Sequence, residues 1–313
     1  MEFYIWQDHR CVYDVVPGER SPSLLLIHPI GVGLSRAFWD PFIQQWSKAG
    51  GRQTIYSPDL LGCGESEMPR RAYRPKDWAE QIAFFIEQVV QGPVVLVVQG
   101  ALLPVAVELM SLSAEAHVQG LVLSGPPAWP LMTTPTAAWK TDLAWQLFAS
   151  PLGNAFYRYA RRSQFLKSFS ERQLFDRPED VTDDWLKMLD AGSRDMNSRY
   201  AVFSFLAGFW RQDYTSAIAR IQQPVLIAMG KDATTIDRTV AQQEAKKEAG
   251  QPETLQAGGK RTAAANQKRL QDYLDHFPRA QGVNLPGRNV LPYESTEDFV
   301  RVVSSFVSQL AAS

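Results

Sequence analysis

The chain is poor in the residues that most often carry out chemistry. It has two cysteines and four histidines in 313 residues. Cys11 and Cys63 are too few for a disulfide framework and lack metal-ligand spacing, which excludes a stapled secreted scaffold and a cysteine-rich metal centre. Buried thiols in a reducing compartment are expected. Charge of one sign is also lacking: 32 basic side chains against 33 acidic ones give a formal net charge of -1. That balance gives no electrostatic footprint for nucleic acid, and no long basic run marks an anionic membrane surface. No apolar stretch approaches the ~18 residues of a membrane span. The N-terminal MEFYIWQDHRCVYDVV has acidic residues where a signal peptide needs a basic and then an apolar segment. The expectation is a soluble protein of the cytoplasm, or of a plastid stroma, with no nucleic-acid partner and no membrane span.

Apolar residues make up 45% of the chain, enough for a large core in one α/β domain with a sizeable insertion. Phe3 to Trp6 and Cys11 to Val16 read as an edge hairpin. Strands at 24–28, 54–58, 94–99 and 119–124 then alternate with helices around 38–46, 76–91 and 101–113. Continuous Val, Leu and Ile runs separated by helices indicate parallel strands covered on both faces. From 130 to 222 the alternation stops and aromatics recur in helical patterns. PVLIAMG at 224–230 resumes the sheet, and a last strand at 282–285 precedes a C-terminal helix capped at Ser295 or Thr296. The domain reading is therefore a core of 1–129 and 223–313, a helical cap insertion at 130–222, and a polar, exposed helical insert at 238–272. The insert is rich in Gln, Ala, Lys and Glu, which favours a solvated helical hairpin; a docking surface for a protein partner is the sharper alternative.

Four segments in order resemble the α/β-hydrolase superfamily. LLLIHPIG at 24–31 is similar to the strand and loop that supply one oxyanion-hole amide. DLLGCGES at 59–66 matches the family's DxxGxGxS turn. VVLVVQGALLPVAVEL at 94–109 has the strand, turn and helix of the nucleophile elbow, and PVLIAMGKD pairs with VNLPGRNVLPYE near the end. Together they imply an α/β-hydrolase fold, a mostly parallel sheet of about eight strands with a helical cap insertion. The loop and the turn also resemble a subgroup of cyanobacterial and plastid proteins that keeps both without the nucleophile and histidine.

The departures from the family are specific. Its GxSxG falls on Val98, Gln99, Gly100, Ala101 and Leu102, so Gly100 stands at the nucleophile position. No Ser, Thr, Cys, Asp or Glu occurs between Val94 and Val107, and a shift of register recovers none. The catalytic histidine position falls on Val290. His9, His28, His117 and His276 all precede the last strand, whereas a triad needs its histidine after it. The family's GxxD after the strand reads Gly230-Lys231-Asp232, one residue short. An elbow glycine takes the positive φ of the turn at little cost, so the turn can persist without its chemistry. The amides of Ala101 and Ile30 are expected to point into a pocket bounded by His28, Ile30, Gly31, Gln99, Gly100, Ala101 and Val290.

Such a pocket suits a small apolar or carbonyl-containing ligand, with no cofactor and no metal. The reading is a non-catalytic α/β-hydrolase-fold protein that binds a ligand or a partner. Two alternatives stand beside it. One is a hydrolase, lyase or isomerase with non-standard groups, with Asp232 and His28 as the candidates and Cys63, Arg288 and Glu294 as further ones. A cluster of Asp232, His28, Arg288 or Glu294 around Gly100 would favour that alternative. The other is an assembly protein that uses the 238–272 segment.

Overall fold

The computed structural model of the chain describes residues 1–234 and 258–312. Among these, eight strands form one sheet in the order β1-β2-β4-β3-β5-β6-β7-β8. β1 (Glu2–Trp6) and β2 (His9–Val16) make the edge hairpin. It turns at Gln7 and Asp8, both at positive φ, the two-residue geometry that follows the twist of the flanking strands. β2 lies antiparallel to β4 (Gln53–Pro58). The remaining pairs, through β3 (Arg20–Ile27), β5 (Val94–Gln99), β6 (Val118–Ser124), β7 (Val225–Gly230) and β8 (Ala280–Leu285), are parallel.

β5 shows why the sheet is central. All six residues of VVLVVQ are buried, and their alternation feeds two cores. Val94, Leu96 and Val98 face one core and Val95 and Val97 the other. α1 (Asp40–Lys48) covers the second core with Phe42 and Trp46. α2 (Pro75–Phe85) and α3 (Leu103–Leu109) cover the first. The helix expected at 101–113 begins as a tight 3-10 turn over Gly100–Leu102, with Pro104 in the first turn of α3, where a missing N–H costs little.

Between β6 and β7 run α4 (Trp129–Thr133), α5 (Ala138–Phe148), α6 (Pro151–Ala160), α7 (Ser163–Phe169), α8 (Asp183–Gly192), α9 (Arg199–Ala207) and α10 (Thr215–Ile218), the helical insertion. Phe203 of α9 stacks on Phe148 of α5 at 4.8 Å between ring centroids. α11 (Gly258–Leu274) follows β7. α12 (Leu291–Glu294) and α13 (Thr296–Ala312) close the chain, with Phe299 of α13 edge-on to Phe42 at 5.6 Å.

The polar insert expected at 238–272 needs correction at its C-terminal end. Residues 238–257 of it lie outside the described residues. In α11, however, Asn266, Leu270 and Tyr273 are buried, the helix packs on β7 and β8, and the Tyr273 hydroxyl donates to the Pro127 carbonyl at 2.7 Å. Leu270 and Tyr273 fall on one face of the helix, and Phe277 in the turn after it joins the same core; the surrounding Lys, Gln and Ala dilute that signal when composition is averaged over the segment.

Register positions the site. Ile27 pairs with Val98, Gln99 with Ser124, Ser124 with Ala228, and Gly230 with Leu285. The carboxyl ends of the parallel strands are therefore level, and the loops after them converge on one edge, where open α/β sheets bind ligands.

Candidate functional site

At that edge the turn after β5 keeps the geometry of an elbow. Gly100 has φ +61°. A Cβ built there meets nothing nearer than the Gly125 carbonyl at 4.0 Å, so the space a nucleophile's side chain would fill is open. Val98 and Leu102, where the family prefers small residues, are buried in the core around α2 and α3. The bulk has been absorbed by packing behind the turn.

A cavity of about 410 Å³ opens above Gly100. Ile30, Gln99, Gly100, Ala101 and Val290 all line it, joined from the insertion by Thr136, Leu174, Phe205 and Leu206. Thr234, Arg269 and Asn289 complete the core side, and Arg211 adds a second cation. Among the described lining residues there is no Ser, Cys, His, Asp, Glu, Lys or Tyr. Ala233, the third residue after Gly230, is also on the wall, with Gly100 and Val290. The turn Gly100–Leu102 opens a helix there, and the first N–H groups of a helix have no intrahelical partner. The N–H of Ile30 donates to no backbone carbonyl among the described residues.

His28, Gly31 and Asp232 do not line the cavity. His28 is fully buried one residue before the wall. Its Nδ1 meets the Pro29 carbonyl at 2.8 Å and its Nε2 meets the Leu60 N–H at 3.1 Å. Nδ1 therefore carries the proton and Nε2 accepts, so the ring is neutral with both nitrogens engaged. Burial pushes its pKa below the ordinary value of 6.5, and the nearby Asp59 opposes that shift. Gly31 turns its α-carbon toward Leu34, whose Cδ1 would lie 2.8 Å from an added Cβ. The Asp232 N–H donates to Gly287.

The neutral buried His28 makes stability depend on pH. The unfolded chain binds a proton near pH 6.5 and the folded chain does so only at lower pH. The contribution is complete above 6.5 and declines as pH falls from there toward the folded value, by up to about 1.4 kcal/mol per pH unit. Urea midpoints between pH 7.5 and 5 are expected to fall more steeply for the native chain than for His28→Gln; parallel slopes would refute this.

The other candidate groups are also engaged away from the cavity. Glu294 accepts the N–H groups of Arg288 at 2.9 Å, Val290 at 3.2 Å and Asp176 at 2.5 Å, tying the loop before α12 to the insertion. Burial raises its carboxyl pKa, and those three N–H groups oppose the rise. The Arg288 guanidinium reaches the Arg172 carbonyl and Asp176. Cys63 is buried off the cavity, its thiol pushed up by burial and by Asp59. Asp232, His28, Arg288 and Glu294 thus do not gather around Gly100.

Sequence reasoning missed Asn289 and the two arginines. Asn289 holds the rim together. Its Nδ2 donates to the Gln173 carbonyl at 2.8 Å and the Thr234 hydroxyl at 3.2 Å, and its own carbonyl accepts Gln99 Nε2 at 2.8 Å. An amide clasp thus joins the end of β5 to the loop that carries Val290. Its position directly before Val290 was the available signal. Arg269 stood in a polar run with nothing to distinguish it.

The profile of the alpha/beta hydrolase family matches residues 24–302. No curated protein sequence matches the chain. Among solved structures it is similar to an esterase from Exiguobacterium antarcticum, with a TM-score of 0.70, 16% identity and 98% of each chain covered. It is also similar to a thermophilic esterase from Thermogutta terrifontis, with a TM-score of 0.67, 15% identity and 96% of this chain and 94% of that one covered. An enol-lactonase from Burkholderia xenovorans gives a TM-score of 0.66 at 14% identity, covering 98% of this chain and 100% of that one. At such identities these likenesses speak for the fold alone. With the strand order, the elbow and the family match over most of its length, the chain belongs to the α/β-hydrolase family.

Proposed function

We propose that this protein uses the α/β-hydrolase fold to bind a small apolar molecule bearing a carboxylate or carbonyl, without hydrolysing an ester. The observation that carries this is the cavity wall: Gly100, Val290 and Ala233, at the positions the family resemblance points to for a triad, and no other described side chain there able to act as a base. The wall is mostly apolar, and a helix start and two arginines add positive potential, which suits an anionic head on an apolar body. Losing a triad leaves at best roughly 10³ to 10⁴ of acceleration over water.

Decanoate is expected to bind, with decanol at least about tenfold weaker for want of a charge. Ala101→Trp, which fills the cavity, is expected to abolish the calorimetric signal. Short- and medium-chain nitrophenyl esters are expected to show no hydrolysis above buffer. A second reading, hydrolysis of a carbonyl or ester substrate by non-standard groups, draws on the likeness to esterases and a lactonase. Turnover abolished by Asp232→Asn or His28→Gln would establish it and overturn the first. The assembly reading for 238–272 rests mainly on residues outside the described ones, and no observation favours it.

A further inference from the structure

α5 and α6 carry an apolar surface that no described element covers. α5 reads AWKTDLAWQLF, yet the only residue of its eleven that is buried is Thr141. Trp139, Leu143 and Leu147 recur every four residues and so lie on one stripe. Leu152, Phe156 and Tyr159 make the same stripe on α6. These six side chains are between 44% and 70% exposed. The two stripes adjoin, because α6 follows α5 directly and the rings of Phe148 and Phe156 lie 6.5 Å apart. Tyr159 carries the surface on to Phe165 at 5.2 Å, and Phe165 stacks on Phe169. Large contiguous exposed apolar patches mark interaction sites.

The charge around the patch says what covers it. Between residues 134 and 169 the chain has Lys140, Arg158, Arg161, Arg162 and Lys167 against Asp142 alone, in a protein whose net charge is -1. Two of the cations lie over aromatic rings of the stripes: Lys140 over Trp139 at 5.5 Å and Arg162 over Tyr159 at 5.7 Å. No run of basic residues announces this in the sequence; the fold assembles it from two helices. Trp and Tyr beside cations at the rim of a Leu and Phe stripe is the composition of a helix that lies in a lipid interface.

We infer that the α5–α6 face docks on an anionic lipid bilayer, the apolar stripes entering the headgroup boundary and the cations meeting anionic headgroups. A second copy is a poorer occupant, because a two-fold interface would set two cationic surfaces against each other.

The test is co-sedimentation of the full chain with vesicles of phosphatidylcholine alone or of equimolar phosphatidylcholine and phosphatidylglycerol. The native protein is expected to pellet with the anionic vesicles, less so at high salt. Leu143→Asp with Phe156→Asp is expected to abolish pelleting while leaving the melting temperature unchanged, since both side chains are exposed. Each neutralised cation is expected to lower partitioning about fivefold, so Lys140→Ala, Arg158→Ala and Arg162→Ala together lower it on the order of a hundredfold. Three outcomes overturn the inference: no pelleting with anionic vesicles, pelleting untouched by the aspartates, or a concentration-dependent dimer that the aspartates dissolve in protein that does not pellet.

Discussion

Gly100→Ser alone is expected to remain unlabelled by a fluorophosphonate probe, and adding Val290→His is expected to raise its labelling rate on the order of 10² or more. The serine itself fits: a Cβ there has 4.0 Å to its nearest neighbour. The positive φ costs a non-glycine residue about 1–3 kcal/mol, which the packed strand and helix around the turn can hold. Reactivity is withheld for another reason. A serine hydroxyl at its ordinary pKa is a weak nucleophile until a base takes its proton. The described cavity wall offers only arginines among ionisable groups, and arginine does not accept a proton. Val290 is on that wall, so an imidazole in its place reaches the cavity. Adding Ala233→Asp is expected to raise the rate further by orienting the ring. Labelling of Gly100→Ser by itself would reveal a base on the wall and sink the ligand-binding reading. A folded triple variant that stays unlabelled would show that the elbow no longer aims its side chain at the cavity.

The fold was legible because its signals are local and strong. VVLVVQ is apolar at every position, as a central parallel strand requires, and DLLGCGES carries glycines where side chains do not fit. The open elbow could be read from Gly100 and Val290, since their spacing to neighbouring strands fixes where they fall. What could not be read depends on tertiary contact. His28 and Gly31 lie beside the cavity wall in sequence, yet the His28 ring turns to Leu60 and Pro29 and so leaves the pocket. Arg269 enters it only because Leu270 and Tyr273 dock α11 on the sheet, two apolar residues in a mostly polar run. The aromatics of 130–222 all recur at helical spacing, yet Phe203 and Tyr157 are core, whereas Trp139 and Phe156 stay exposed. Periodicity places residues on a face and does not say what the face meets.

Asp59→Ala is expected to destabilise the protein by about 3–5 kcal/mol, more than any change on the cavity wall. Asp59 has no exposed surface. Its carboxylate accepts the backbone N–H of Arg36 at 2.8 Å and that of Glu65 at 2.8 Å, and it pairs with the Arg36 guanidinium. Gly64 is needed for this arrangement: a Cβ there would sit 2.1 Å from a carboxylate oxygen. Gly62, at φ +90°, would likewise strike Tyr73 at 2.7 Å. Ser66 completes the turn, donating to the Asp59 carbonyl and accepting the N–H of Val12, both at 2.9 Å. Removing the carboxylate leaves two N–H groups without acceptors, at about 1–3 kcal/mol each where they are buried. It also strips one of three carboxylates from a guanidinium that keeps Asp14 and Glu65. The Arg36→Ala and Asp59→Ala double variant should therefore cost less than the sum of the two single changes, a coupling that a double-mutant cycle in urea measures. A loss under about 1 kcal/mol for Asp59→Ala would show that the turn stands without its carboxylate. The consequence reaches the site through the chain itself, because the segment from His28 to Arg36 leaves β3, forms the cavity wall at Ile30 and ends on Asp59. Decanoate affinity in the surviving folded fraction should fall with the stability, since one carboxylate anchors the loop that both require.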